Sequence, residues 1–159
     1  MYPKAKRVFT NTLLSTAERR THMTLYEYLK LQQGGWISAD TYDTEYDSIV
    51  TIDADIDHEN SEDPYDQFTF ALLRSVEIDT IGKDTLTCKW SKFIEDNMEY
   101  FKAFTREYWT NQYEDDEEEF IYQWIREIHY YLAGYVGNST YKAFIKFIIN
   151  KEIPKNDLP

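Results

Sequence analysis

Apolar positions along the chain switch between two spacings, three to four residues apart and two apart, and the switches mark out the elements. Thr24 followed by Glu27 forms a capping-box signature ahead of Leu25, Tyr28 and Leu29, which predicts a helix that Gly34-Gly35 stops. Trp36 to Tyr42 and Ser48 to Ile56 read as two strands of a hairpin turned at Asp43–Asp47. Pro64 stands at the first position of a predicted helix running through Arg74, with Phe68 and Leu72 inward. Val76, Ile78 and Thr80 alternate with polar residues, Gly82-Lys83-Asp84 turns the chain, and Thr85 to Trp90 returns it. Ser91 then caps a long helix carrying Phe93, Ile94, Met98, Phe101, Phe104 and Trp109 on one face. A further helix spans Phe120 to Tyr131 and ends at Gly134 and Gly137. Ser139 starts a last one with Phe144, Phe147 and Ile149, which Pro154 ends. The order α-β-β-α-β-β-α-α-α specifies an α+β domain, a small antiparallel sheet of two hairpins packed with about five helices.

Charge changes this picture from a fold to a surface. The chain holds 29 acids against 17 bases, a net charge of −12, and the distribution is uneven. Residues 1–22 contain five bases and one acid and carry +4, so the remainder stands at −16. Residues 1–21 therefore read as a basic, flexible N-terminal arm, 22–153 as one domain and 154–159 as a tail. A field of that sign disfavours nucleic acid as a direct ligand and favours basic partners. Aromatic residues make up 17% of the chain, which argues against disorder. Fourteen tyrosines include several beside carboxylates, a pairing that suits contact with arginine.

Two stretches concentrate the acids. Between Lys30 and Arg74 there is no lysine or arginine, while eleven carboxylates occupy the window. Four of these, Asp53, Asp55, Asp57 and Glu59, keep strict alternation and are expected on one face of the second strand. Acids two apart on a strand are about 6.6 Å apart, and one DNA strand carries a phosphate about every 3.4 Å. Such a row can stand in for alternate phosphates. The second stretch is the unbroken acid run Glu114–Glu119, of which the dipole of the following helix accounts for only one or two.

Other chemistries find less support. Asp55 to Asp66 superficially follows a calcium loop, but Asn60 replaces the glycine at the sixth position and Asp66 the glutamate at the twelfth. His22, His58 and His129 lack zinc spacing, and Cys88 is the only cysteine, which excludes an internal disulfide and fits a reducing cytosol. No phosphate loop, nucleophile elbow or metalloprotease motif is present, and the expected chain is not an enzyme, with no cofactor and no metal. No run of 18 apolar residues exists, and the basic start lacks the apolar core of a signal peptide.

Trp109, Asn111-Gln112, Tyr113, the acids Glu114 to Glu119 and Phe120 together resemble the acidic segment of small phage-encoded anti-CRISPR inhibitors of type II CRISPR effector nucleases. The resemblance covers about a dozen residues, with Thr110 inserted after the tryptophan and one acid more in the run. It implies a protein that docks on the arginine-bearing surface where the nuclease reads its protospacer-adjacent motif, and so excludes DNA. Asn111, Gln112, Tyr113, Asp115 and Asp116, with Glu114 and Glu117 of the same run, are the implied contacts; Asp53, Asp55, Asp57 and Glu59 form the second expected contact row. The expected setting is the host bacterial cytoplasm and the expected partner a basic DNA-binding groove. An antirestriction DNA mimic against another defence nuclease, a metal-binding acidic domain and a phage structural protein are the alternatives.

Overall fold

Thr24 Oγ1 accepts from the Glu27 amide (3.2 Å) and Glu27 Oε1 from the Thr24 amide (2.8 Å), closing the capping box that the sequence predicts and starting α1, Leu25–Leu31. Gly34 and Gly35 turn the chain with φ of 84° and 69°, a region that favours glycine, and a Cβ on Gly35 would lie 2.5 Å from Ile56 Cγ2. The computed structural model describes residues 19–20, 22–43, 45–108, 115–135 and 138–150.

β1 is Arg19–Arg20, β2 Trp36–Asp43 and β3 Ser48–Asp55; α2 spans Pro64–Ser75, and β4 and β5 are Ile78–Ile81 and Leu86–Cys88. The strands form one sheet in the order β1-β4-β5-β2-β3, four strands with the two-residue β1 added at the edge. Both hairpins are antiparallel, with Ile37 opposite Ala54 and Ile81 opposite Leu86. They join through a parallel seam, Thr41 beside Leu86 and Asp43 beside Cys88, which corrects the all-antiparallel expectation. Hairpins are closed by local turns, whereas the seam depends on α2 carrying the chain between them. Pairing of Arg19–Arg20 with Ile81 and Thr80 also takes those two residues out of the expected detachable arm, whose other residues, 1–18 and 21, lie outside the described ones.

The helical half differs from expectation at its ends. Asn97 divides the predicted long helix into α3, Trp90–Asp96, and α4, Met98–Tyr108. Its Nδ2 donates to the Phe93 carbonyl at 2.7 Å, a side-chain competitor for the backbone ladder. α3 begins at Trp90 and not at a Ser91 cap, because the Ser91 amide is taken by Asp43 Oδ1 at 2.9 Å. α5 covers Glu117–Tyr135, starting three residues before Phe120 and running through Gly134 where a break was expected. α6 is Asn138–Asn150.

The core lies between the sheet and these helices. Val50 and Ile52 face it from β3, and Phe68, Phe101, Phe104, Trp124, Phe144 and Phe147 fill it from four helices. Phe101 packs edge-on to Trp124 with centroids 4.5 Å apart, within the favoured range for aromatic pairs. Both fully buried indoles among the described residues find the same kind of partner. Trp90 Nε1 donates to Thr41 Oγ1 (2.8 Å), which donates to the Val50 carbonyl (2.9 Å). Trp124 Nε1 donates to Thr105 Oγ1 (2.9 Å), which donates to the Phe101 carbonyl (2.7 Å).

Candidate functional site

Alternation along β2 and β3 sorts their side chains into two faces. Ile37, Thr41 and Asp43 of β2 and Val50 and Ile52 of β3 are buried; Trp36, Ser38, Asp40, Tyr42, Ile49, Thr51 and Asp53 are exposed. On the exposed face Trp36 stands opposite Asp55, Ser38 opposite Asp53, and Asp40 opposite Thr51, whose Oγ1 donates to Asp40 Oδ1 at 2.6 Å. This face therefore carries Asp40, Asp53 and Asp55 beside an indole that is 57% exposed.

The predicted row of four stops at two. β3 ends at Asp55, and residues Ile56–His58 wind into a 3-10 turn that the Asp55 carboxylate stabilises by accepting from the Asp57 amide at 2.9 Å. Once the strand ends, its period of two ends with it, so Asp57 leaves the row. Glu59 turns toward α1 and α2, where its Oε2 accepts from the Tyr26 hydroxyl and from Arg74 Nη2 (3.1 Å). The Tyr26 hydrogen bond and the Arg74 guanidinium hold the Glu59 carboxyl below its ordinary range despite some desolvation. Arg74 also lies 4.8 Å from the Tyr26 ring centroid. Glu59 is thus neutralised within the fold and is not a candidate contact. Asp43 is removed differently: it is buried and accepts from the Glu45, Tyr46 and Ser91 amides, tying the β2–β3 turn to the start of α3.

Of the acid run, Asn111, Gln112, Tyr113 and Glu114 lie outside the described residues. Asp115, Asp116 and Glu117 are exposed at the start of α5. Asp116 Oδ1 accepts from the Glu119 amide at 3.2 Å and its carbonyl from the Phe120 amide at 2.8 Å, so this acid caps the helix.

The fold then joins the two acidic stretches. The packing of α5 against β3 and α3 brings Glu45 of the β2–β3 turn within electrostatic reach of Glu95 of α3, and Glu95 within reach of Glu117 in the first turn of α5. Desolvation and the charges of Glu45, Asp96 and Glu117 all raise the Glu95 pKa from its ordinary value of 4.5. The Tyr46 hydroxyl between them is pushed up by burial first, then by Glu45, Glu118 and Glu95. Glu95 belongs to neither stretch and nothing in its local sequence marks it. Only the packing of α3 against α5 brings it here.

Four of the described bases are engaged elsewhere: Lys92 with Asp96 (2.6 Å), Lys89 with Glu77 (3.2 Å), Arg74 with Glu59 (3.1 Å) and Arg126 with Glu127 (3.0 Å). No described lysine or arginine pairs with Asp40, Glu45, Asp53, Asp55, Glu95, Asp115, Asp116, Glu117 or Glu118. Among the described residues no group of three His, Cys, Asp or Glu side chains is arranged to hold a metal ion, including the stretch that superficially follows a calcium loop. Cys88 is buried on β5, and desolvation pushes its thiol up to about 12. No helix among the described residues is long and apolar enough to cross a membrane.

A cleft of about 390 Å³ opens between the end of β3 and the first turns of α2, lined by Trp36, Asp53, Asp55, His58, Tyr65 and Asp66 among others. No family model matches the chain, and neither a curated protein nor a solved structure does.

Proposed function

We propose that this chain is an acidic DNA-mimic inhibitor of the anti-CRISPR type. It acts in the host bacterial cytoplasm by occupying the basic DNA-recognition groove of a CRISPR effector nuclease. The observation that carries the reading is the packing of α5 against β3 and α3, which gathers the exposed Glu45, Glu95, Glu117 and Glu118 from separate segments onto one side with no described base paired to any of them. Like charges held together cost stability unless something compensates them. A partner that brings arginines supplies that compensation on binding, and charge complementarity speeds the encounter. The resemblance of Trp109–Phe120 to the acidic segment of anti-CRISPR inhibitors names the class of groove. There, arginines that read the protospacer-adjacent motif would be taken up by carboxylates and lost to the DNA.

The test is a DNA-binding competition with a guide-loaded type II effector. Added before DNA, the chain should abolish target binding; added after the RNA–DNA heteroduplex has formed, it should have little effect. Unchanged DNA occupancy at saturating protein would end the reading for that nuclease class. Inhibition confined to a restriction nuclease would move the assignment to the antirestriction alternative.

A further inference from the structure

The cleft at the end of β3 differs from the rest of the acidic surface because it offers a flat aromatic wall as well as charge. Trp36, 57% exposed, stands at the start of β2 directly across the strand pair from Asp55, with Asp53 one cross-strand step away. Tyr65, 38% exposed, borders the same cleft from the first turn of α2, and its hydroxyl is pushed up by burial and by the nearby charges of Asp53 and Asp66. Asp66 is partly satisfied by His58 Nδ1 at 3.4 Å, whereas no described lysine or arginine pairs with Asp53 or Asp55. The cleft, about 390 Å³, is open to solvent and wide enough to admit a side chain.

We propose that this cleft receives an arginine side chain of the basic partner, its guanidinium lying on the Trp36 indole and donating to Asp53 and Asp55. The proposal rests on the reading that the partner is cationic and adds which of its side chains is recognised here. Three properties select arginine over lysine. The guanidinium is planar and stacks on an indole, its fork matches carboxylate acceptors two at a time, and it is less strongly hydrated than an ammonium. A second copy of this chain is a poor occupant, because it would bring the same carboxylates to the same face.

The experiment compares octa-arginine and octa-lysine binding to the full chain at equal ionic strength, read by heat of binding and by the Trp36 indole NMR signal. Octa-arginine should bind several-fold tighter and shift that signal. Trp36→Ala should weaken it about fivefold, Trp36→Phe less, and the pair Asp53→Asn with Asp55→Asn about tenfold. The charge-matched pair Glu62→Gln with Glu99→Gln should change it little. Equal affinity for the two peptides, or equal loss in the charge-matched pair, overturns the assignment. So does a dimer that Trp36→Ala dissolves. A chain that prefers octa-arginine but displaces DNA from no nuclease ends the inhibitor reading alone. One that displaces DNA yet binds both peptides alike ends the cleft assignment alone.

Discussion

Single residues on this surface have opposite electrostatic fates. Glu59 has a folded pKa below its ordinary value, so its contribution to stability is present above about 4.5 and lost as pH falls through the folded value. Glu95 is raised from 4.5, so its contribution is present at and below that value and lost as pH rises through the folded one. Urea unfolding followed from about pH 2 to pH 8 should therefore show Glu95→Gln more stable than the parent at neutral pH, with the difference closing toward pH 4. Glu59→Gln should be less stable at neutral pH and converge with the parent on acidification. Identical pH profiles for both variants would remove the account of the like-charge grouping around Glu95. The buried Cys88 thiol, pushed up to about 12, should not react with a thiol reagent at pH 8 until the chain unfolds.

At the scale of elements, the sheet and helices are tied by a few buried polar groups. Replacing Thr41 or Thr105 by valine keeps the shape but leaves a buried indole N–H unpaired, which should cost about 1–3 kcal/mol by chemical denaturation. Asp43→Ala removes the acceptor for three amides at once and should cost at least as much, with the β2–β3 turn showing the largest rise in amide exchange. Much of this level was legible in the sequence: the Thr24–Glu27 box, Pro64 at a helix start and the two hairpins are local signals and fell where expected, although β3 stops at Asp55 and β5 at Cys88, with Trp90 already in α3. The division at Asn97, the reach of α5 through Gly134 and the parallel seam were not legible. The seam and the reach of α5 depend on what packs against the segment, whereas the division at Asn97 comes from a side-chain hydrogen bond that a helical spacing of apolar residues does not register.

For the whole molecule, the net charge of −12 makes association with any basic groove sensitive to salt. Under the inhibitor reading, Asp115→Asn with Asp116→Asn should weaken nuclease binding roughly tenfold at low salt, more than the same number of charges removed at Glu152 and Asp157. The asparagine at 116 keeps a capping acceptor, so the helix start should survive. Equal losses from both pairs, measured by surface binding over a salt series, would reduce the interaction to non-specific charge.

The sequence by itself determined the α+β class, most of the elements and the excess of acid, because capping, alternation and charge are properties of short stretches. Tertiary structure alone decided which carboxylates act together. The end of β3 separated Asp57 and Glu59 from Asp53 and Asp55, burial consumed Asp43, and Arg74 neutralised Glu59. Packing of α3 against α5 added Glu95 to the acid run, a meeting of residues distant along the chain that no local pattern encodes.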